Sequence, residues 1–155
     1  ILMEYSEVLF LLSEANGWSQ SYYEQGVRAS MEKWNIDSAK INAFVAALPP
    51  ANKQNVLTQK YVSLFMQPFE AWAEYRRTGY PNTLLLPGQS AALNVATASG
   101  QTTYTFTSLI ADLTDLPTRI YYPTTVQTLN TDNYKAASTA IGGDKMNTKL
   151  IWDKN

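Results

Sequence analysis

Two pairs of closely spaced carboxylates are the residues in this sequence whose types and spacing best fit catalysis. Glu4 and Glu7 lie three positions apart, and so do Asp112 and Asp115. Glycosidases hold two carboxyl groups at a fixed distance across a sugar, as acid and as base or nucleophile. Each pair also has a structural interpretation, which we favour. The first lies on the polar stripe of a helix, and the second lies in a loop or single turn, where aspartate commonly caps.

Histidine and cysteine are both absent from the chain. Their absence excludes Ser-His-Asp and Cys-His catalysis, zinc sites with His or Cys ligands, haem attachment and disulfides. We expect no metal site and no cofactor. Twelve basic and thirteen acidic residues give a net charge of −1, and no basic cluster exceeds Arg76-Arg77. Nucleic acid is therefore not an expected partner.

Aromatic residues are the more informative class. The chain has ten Tyr and four Trp but only 16% charged residues, which predicts a neutral surface rich in hydroxyl groups. Sugar rings present flat C–H faces that stack on such side chains. The aromatic residues predicted to lie in loops or at strand ends are the candidates for carbohydrate binding: Trp18, Tyr80, Tyr104, Tyr121 and Tyr122. Other aromatic residues fall on helical stripes and are expected to pack inside: Trp34, Phe65, Trp72 and Tyr75.

Arg76 and Arg77 are predicted to end a helix. Their charge is favourable beside the last carbonyl groups of a helix, so a structural role accounts for both. The functional alternative is that one guanidinium stacks on an aromatic ring or binds a ligand hydroxyl, with Tyr80 or Tyr121-Tyr122 as neighbours. Arg77 is therefore included among the candidate binding residues.

The elements that must position these residues are mainly helical over residues 1–78. A stripe of Glu4, Glu7 and Glu14 predicts that the first helix turns its acidic side to solvent. A second helix, predicted to start with a Ser21–Glu24 capping box, completes a helical hairpin. A shorter helix follows, and a long one extends from about residue 52 to 77. Pro68 is expected to kink this long helix or to break it in two.

The remaining sequence has a different character. Residues 79–130 are rich in threonine and predict a loop-rich excursion, with one strand at Thr103–Thr107 and a possible second at Arg119–Tyr122. Residues 131–155 predict a last helix, closed by Gly142-Gly143, and a tail that buries Trp152. The predicted fold class is mainly α, with antiparallel helix pairs in a repeat-like, TPR-like stack and little β structure.

We interpret residues 1–155 as one domain and as the C-terminal fragment of a longer chain. The first twelve residues are strongly apolar, but they lack a basic leader and are shorter than the roughly 20 residues that span a bilayer. No Ser, Thr, Asp or Asn precedes them as a helix cap. The segment is therefore predicted to be a helix whose beginning lies upstream.

Three segments of the sequence match the motifs of one known family. Residues 67–81 read QPFEAWAEYRRTGYP, similar to the signature E-A-W-x-E/D-Y-R-R-T-G-Y-P. Residues 116–123 read LPTRIYYP, similar to P-x-R-L/I-x-Y-P, and the ending N-Y…G-G-D…T…W-W-D has counterparts at residues 133–134, 142–144, 148 and 152–153. The chain therefore resembles SusD/RagB-type outer-membrane lipoproteins, specifically the second type of SusD-like protein. The resemblance covers the C-terminal part of the family pattern, and Pro68 and Ile151 depart from that pattern.

This resemblance implies a non-enzymatic subunit that captures an oligosaccharide, or sometimes a peptide, and covers a TonB-dependent, SusC-like transporter in carbohydrate uptake. It also implies a position at the cell-surface side of the outer membrane. Membrane contact would be made only through a lipid anchor outside these residues. The leading alternative is a helical-repeat module that binds a peptide or protein partner on its concave face. A carboxylate glycosidase is the third interpretation.

Overall fold

The computed structural model describes residues 3–111, 113–151 and 153. The expectations that concern Asp112 and the burial of Trp152 lie outside the described residues. The predicted fold class is confirmed: the described chain is mainly helical, with one small sheet of two strands. Its elements are α1 (Tyr5–Ala15), α2 (Gln20–Lys33), α3 (Ser38–Ala46), α4 (Lys53–Ser63), α5 (Pro68–Thr78), β1 (Ser90–Ala92), β2 (Thr103–Thr105), α6 (Thr124–Leu129) and α7 (Thr131–Ala140).

The chain divides into two compact units, of which the first ends at Thr83 and the second begins at Leu84. In the first unit α1 packs on α2, both contact α4, and α3 packs on α2. The centre of its core is formed by Phe10, Tyr23, Val27 and Val56. Gly26 lets α1 and α2 approach closely, because a Cβ atom there would lie 3.0 Å from the Phe10 ring. The hairpin therefore depends on aromatic packing and on one small residue.

The prediction that the acidic side of α1 faces solvent was wrong. Glu7 is only 4% exposed. Glu4 pairs with Lys33 at 2.6 Å, and Glu14 pairs with Arg77 at 2.7 Å. The stripe faces basic groups on α2 and α5, whereas the apolar side chains of Tyr5 and Leu12 are 68% and 37% exposed. Helical periodicity identified the stripe, but it could not identify the basic partners that turn it inward.

Glu74 is the centre of a charge network between α4 and α5. The buried Lys60 ammonium donates to it at 2.9 Å, and Arg77 donates through Nε and Nη2 at 3.2 and 2.7 Å. Burial alone would raise the pKa of Glu74, but the hydrogen bonds from Arg77 and Lys60 outweigh it, so the pKa lies below its ordinary value. Glu74 is therefore held as a carboxylate, and it ties the two helices together.

Helix boundaries follow the sequence signals with one exception. The chain breaks between α4 and α5, as predicted, because Pro68 occupies the first turn of α5, where its missing N–H costs no hydrogen bond. Asp37 caps α3 by accepting from the amides of Ala39 and Lys40. The predicted Ser21–Glu24 capping box was wrong. Helix α2 begins at Gln20, whose Nε2 donates to Glu24.

Two aromatic residues expected inside the first unit are exposed. Trp34 and Phe65 are 46% and 62% exposed, and their rings meet edge to face with centroids 5.6 Å apart. Trp72 is half-buried, with the Arg76 guanidinium 4.7 Å from its ring centroid. Tyr75 is buried, as expected. The break at Pro68 ends the helical register on which the predictions for Phe65, Trp72 and Tyr75 depended, and Trp34 lies just after the last residue of α2.

The second unit contains the small sheet, α6, α7 and long irregular segments. Strand β2 lies where a strand was predicted, and it pairs antiparallel with β1. The possible strand at Arg119–Tyr122 was wrong, because the amides of Thr118 and Arg119 donate to the carbonyl of Met146 in an irregular segment. Helix α6 was not anticipated. Helix α7 ends as predicted, before Gly142 and Gly143, which both have positive φ.

The buried ion pair between Arg119 and Asp144 organises this unit. Arg119 Nη1 lies 2.6 Å from Asp144 Oδ1, and the two side chains are 7% and 5% exposed. Asp144 also accepts hydrogen bonds from the Tyr122 amide and the Tyr134 hydroxyl, each at 3.2 Å. One carboxylate therefore joins the Arg119–Tyr122 segment to α7 and to the loop that follows it.

Burial makes Glu7 a source of pH-dependent stability. Burial raises its pKa, and the nearby Glu70 carboxylate raises it further. The folded protein then binds more protons than the unfolded chain, so this contribution to stability is largest in acid and is lost as pH rises through the folded pKa. We expect Glu7→Gln to raise Tm at pH 7–8 and to change it little near pH 4. The exposed Glu32→Gln is the control, and an equal or larger gain at pH 4 would contradict this account.

Removal of one charge from the Arg119–Asp144 pair leaves the other charge buried without compensation. Asp144→Asn is expected to lower the free energy of unfolding by about 3–5 kcal/mol. Urea denaturation followed by circular dichroism measures this loss. Asp132→Asn, which changes an exposed carboxylate on α7, provides the matched control. Equal effects of the two substitutions would show that the ion pair is not essential to this unit.

Candidate functional site

Three of the predicted binding residues lie in the first unit, and the two aromatic ones make structural contacts. Trp18 is half-buried and packs against the core cluster of Phe10, Tyr23, Val27 and Val56. Tyr80 is half-buried, with the Lys53 ammonium 5.6 Å from its ring centroid. These contacts give both rings a role in packing.

The Arg77 guanidinium forms ion pairs with two carboxylates. Nη1 and Nη2 donate to the two carboxylate oxygens of Glu14 at 2.8 and 2.7 Å, and Arg77 donates to Glu74 as well. The hydrogen bonds that Arg77 donates to Glu14 and then to Glu74 raise its pKa above its ordinary value. This side chain joins α1 to α5. Of the two adjacent arginines, Arg76 is the one whose guanidinium stacks on an aromatic ring, that of Trp72.

The second unit contains the other three predicted residues. Tyr104 lies on β2 and is 47% exposed. Tyr122 is half-buried, with the Arg119 guanidinium 4.6 Å from its ring centroid. The Tyr134 ring meets the Tyr122 ring edge to face, with centroids 6.0 Å apart. Tyr122 is thus fixed from two sides, by a cation and by a ring.

Tyr121 has the opposite environment from its neighbour. Its side chain is 40% exposed and lines a concave pocket of about 170 Å³. The other lining residues are Ile110, Ala111, Leu113, Lys145, Met146 and Asn147. Pockets that enclose drug-sized ligands are roughly 300–1,000 Å³, so this one is suited to a single ring. This concave site thus contains one of the predicted binding residues.

The pocket combines apolar and polar groups in a way that suits a sugar. The phenol of Tyr121 offers a ring face for stacking and a hydroxyl for hydrogen bonding. Lys145 and Asn147 are exposed at the surface, and they offer an ammonium and an amide. Ile110 and Leu113 supply apolar wall. Such a set can bind and orient a hydroxylated ring.

Reasoning from the sequence missed Lys145 and Asn147. They follow the Gly-Gly-Asp segment, which was interpreted as the end of a helix. The hydrogen bonds from the amide and hydroxyl of Thr118 to the Met146 carbonyl bring this loop back to the segment that contains Tyr121. The sequence signal that could have found them is the pair of family motifs at residues 116–123 and 142–144. Arg119 of the first motif binds Asp144 of the second, which brings the two segments together.

No group of three or more acidic residues in the described ranges has a geometry that could hold a metal ion. Within those same ranges, no helix has the length and apolar character needed to cross a membrane.

A family model described as starch-binding and associating with the outer membrane, that of the SusD-like proteins, matches residues 1–106. No curated protein has a significantly similar sequence. Two solved structures are similar to this chain in fold. A Bacteroidetes SusD-like protein, AC2a, has a TM-score of 0.75 and 31% sequence identity, over 100% of this chain and 30% of its own. A chitin-binding protein has a TM-score of 0.69 and 29% identity, over 97% of this chain and 33% of its own.

This chain thus spans about a third of the length of these two relatives. The structural similarity extends beyond residue 106 and therefore includes the segment with Arg119, Tyr121 and Asp144. The sequence match and the shared fold lead to the same assignment: this chain belongs to the SusD-like family.

Proposed function

We propose that this chain is the part of a cell-surface glycan-capture protein that contributes a sugar-binding subsite at Tyr121. The observation that carries this proposal is the contrast between two adjacent tyrosines. Tyr122 is held by Arg119 and Tyr134, whereas Tyr121 is exposed beside a pocket with an amide and an ammonium. A rigid backbone that presents one aromatic face is preorganised for stacking on a sugar ring.

Family membership supports the wider role. The family description names starch binding and association with the outer membrane, and one structural relative is a chitin-binding protein. We therefore propose a non-enzymatic function in carbohydrate uptake, in association with a TonB-dependent, SusC-like transporter. The protein would lie at the cell-surface side of the outer membrane, with its lipid anchor outside these residues. Trp18, Tyr80, Tyr104 and Arg77 are not needed for this subsite.

The test is titration of the full-length protein with malto-oligosaccharides and chito-oligosaccharides. Tyr121→Ala is expected to weaken binding about tenfold, the equivalent of roughly 1.4 kcal/mol of lost stacking. Its free energy of unfolding should stay within about 0.5 kcal/mol of that of the unmodified protein, as for other exposed positions. Isothermal titration calorimetry and urea denaturation on the same preparations measure the two quantities.

Two further tyrosine substitutions serve as controls. Tyr5→Ala removes a tyrosine that is 68% exposed in the other unit, and it should change neither quantity. Tyr122→Ala should lower stability, because it removes the ring between Arg119 and Tyr134. Normal binding by folded Tyr121→Ala protein would place the sugar site elsewhere. Absence of binding by the unmodified protein to any oligosaccharide, together with capture of a peptide, would favour the helical-repeat interaction module.

A further inference from the structure

Large apolar side chains point to solvent around the turn between α4 and α5, and Trp34, just after the end of α2, lies beside one of them. We call this set the α4–α5 face; it consists of Trp34, Val62, Phe65, Met66 and Phe69. Their exposed fractions are 46%, 58%, 62%, 74% and 79%. Single exposed apolar residues are normal, but several together on one unit mark a surface that binds another polypeptide.

A cavity of about 740 Å³ lies in this face. Besides members of the face, it is lined by Tyr61, Leu64, Pro68 and Ala71. The Tyr61 hydroxyl is the one polar side-chain group among the lining residues. A glycan needs several hydrogen-bonding partners, so the cavity is unsuited to a sugar and suited to apolar side chains.

The backbone holds this face outward. Met66 adopts a φ of +69°, a left-handed conformation that is uncommon for a residue with a side chain. The Gln67 amide closes the turn by donating to the Leu64 carbonyl at 2.8 Å. The Trp34 ring packs edge to face against the Phe65 ring. The apolar side chains therefore project from an ordered turn, which is a geometry that docking requires.

The character of the face indicates a permanent partner. From Val62 to Ala71 the only charged residue is Glu70. Transient interfaces are about as polar as the rest of a protein surface, whereas permanent interfaces are as apolar and as well packed as a protein core. The two related structures are each about three times as long as this chain, so most of their length has no counterpart in residues 1–155.

We propose that the α4–α5 face is an intramolecular interface, covered in the full-length protein by a part of the same polypeptide outside residues 1–155. This inference does not depend on the sugar subsite. It assigns the cavity to the apolar side chains of that polypeptide.

Site-specific photocrosslinking in the full-length protein tests the proposal. Benzoyl-phenylalanine in place of Phe69 keeps an aromatic ring in the face and captures whatever contacts it. The same replacement of Phe44, which is 44% exposed on α3, is the matched control. After irradiation, peptide mass spectrometry identifies the crosslinked partner. We expect the Phe69 position to yield a crosslink within one polypeptide, to residues outside 1–155, at several times the yield of any such crosslink from the Phe44 position.

Every other result overturns the proposal. Crosslinks to residues 84–155 would assign the face to the second unit. A crosslinked dimer would indicate a second copy, and a crosslink to a co-purified transporter would indicate an external partner. A yield equal to that from the Phe44 position would mean that the face is open. If the replacement impairs folding, the rate at which peroxide oxidises Met66 in the unmodified full-length protein decides instead. We expect this rate to be about tenfold below that of a free methionine analogue. An equal rate would contradict the proposal.

Discussion

The second unit depends on one buried ion pair. Arg119 and Asp144 are 25 residues apart in the sequence and 2.6 Å apart in space, in surroundings where an unpaired charge would be costly. The pair is tolerated because Asp144 also accepts from the Tyr122 amide and the Tyr134 hydroxyl, so that both of its oxygens have partners. These bonds fix the backbone at Tyr122. They hold Tyr122 in place, whereas the side chain of the adjacent Tyr121 is 40% exposed.

The first unit also contains inward-facing carboxylates that are paired with basic side chains, here between helices. Carboxylates on α1 and α5 face inward and are compensated by Lys33, Lys60 and Arg77. These ion pairs connect α1 with α2, α4 with α5 and α1 with α5. The arrangement leaves apolar side chains on the outside, at α1 and at the α4–α5 face. Inward charges and outward apolar groups are consistent with a unit that is completed by further polypeptide.

Local signals predicted the ends of some elements, since the break at Pro68 and the glycines after α7 act over a few residues. Predictions of which side chains face the core and which face solvent were less successful. The Glu4–Glu7–Glu14 stripe was assigned to solvent because periodicity contains no information about Lys33 or Arg77. Tyr121 was among the predicted binding residues, but Lys145 and Asn147 join it only through long-range contacts. Two of the family motifs contain the two members of the Arg119–Asp144 pair, which helical periodicity could not have brought together.

The central claim is that this ion pair positions Tyr121 to bind a sugar ring. The most direct test is a crystal structure of the full-length protein with a bound oligosaccharide from the series that it recognises. The account predicts a sugar ring stacked on Tyr121, with a hydroxyl or amide group of the sugar within hydrogen-bonding distance of Lys145 or Asn147. An oligosaccharide bound elsewhere, with the pocket beside Tyr121 empty at saturating ligand, would contradict it.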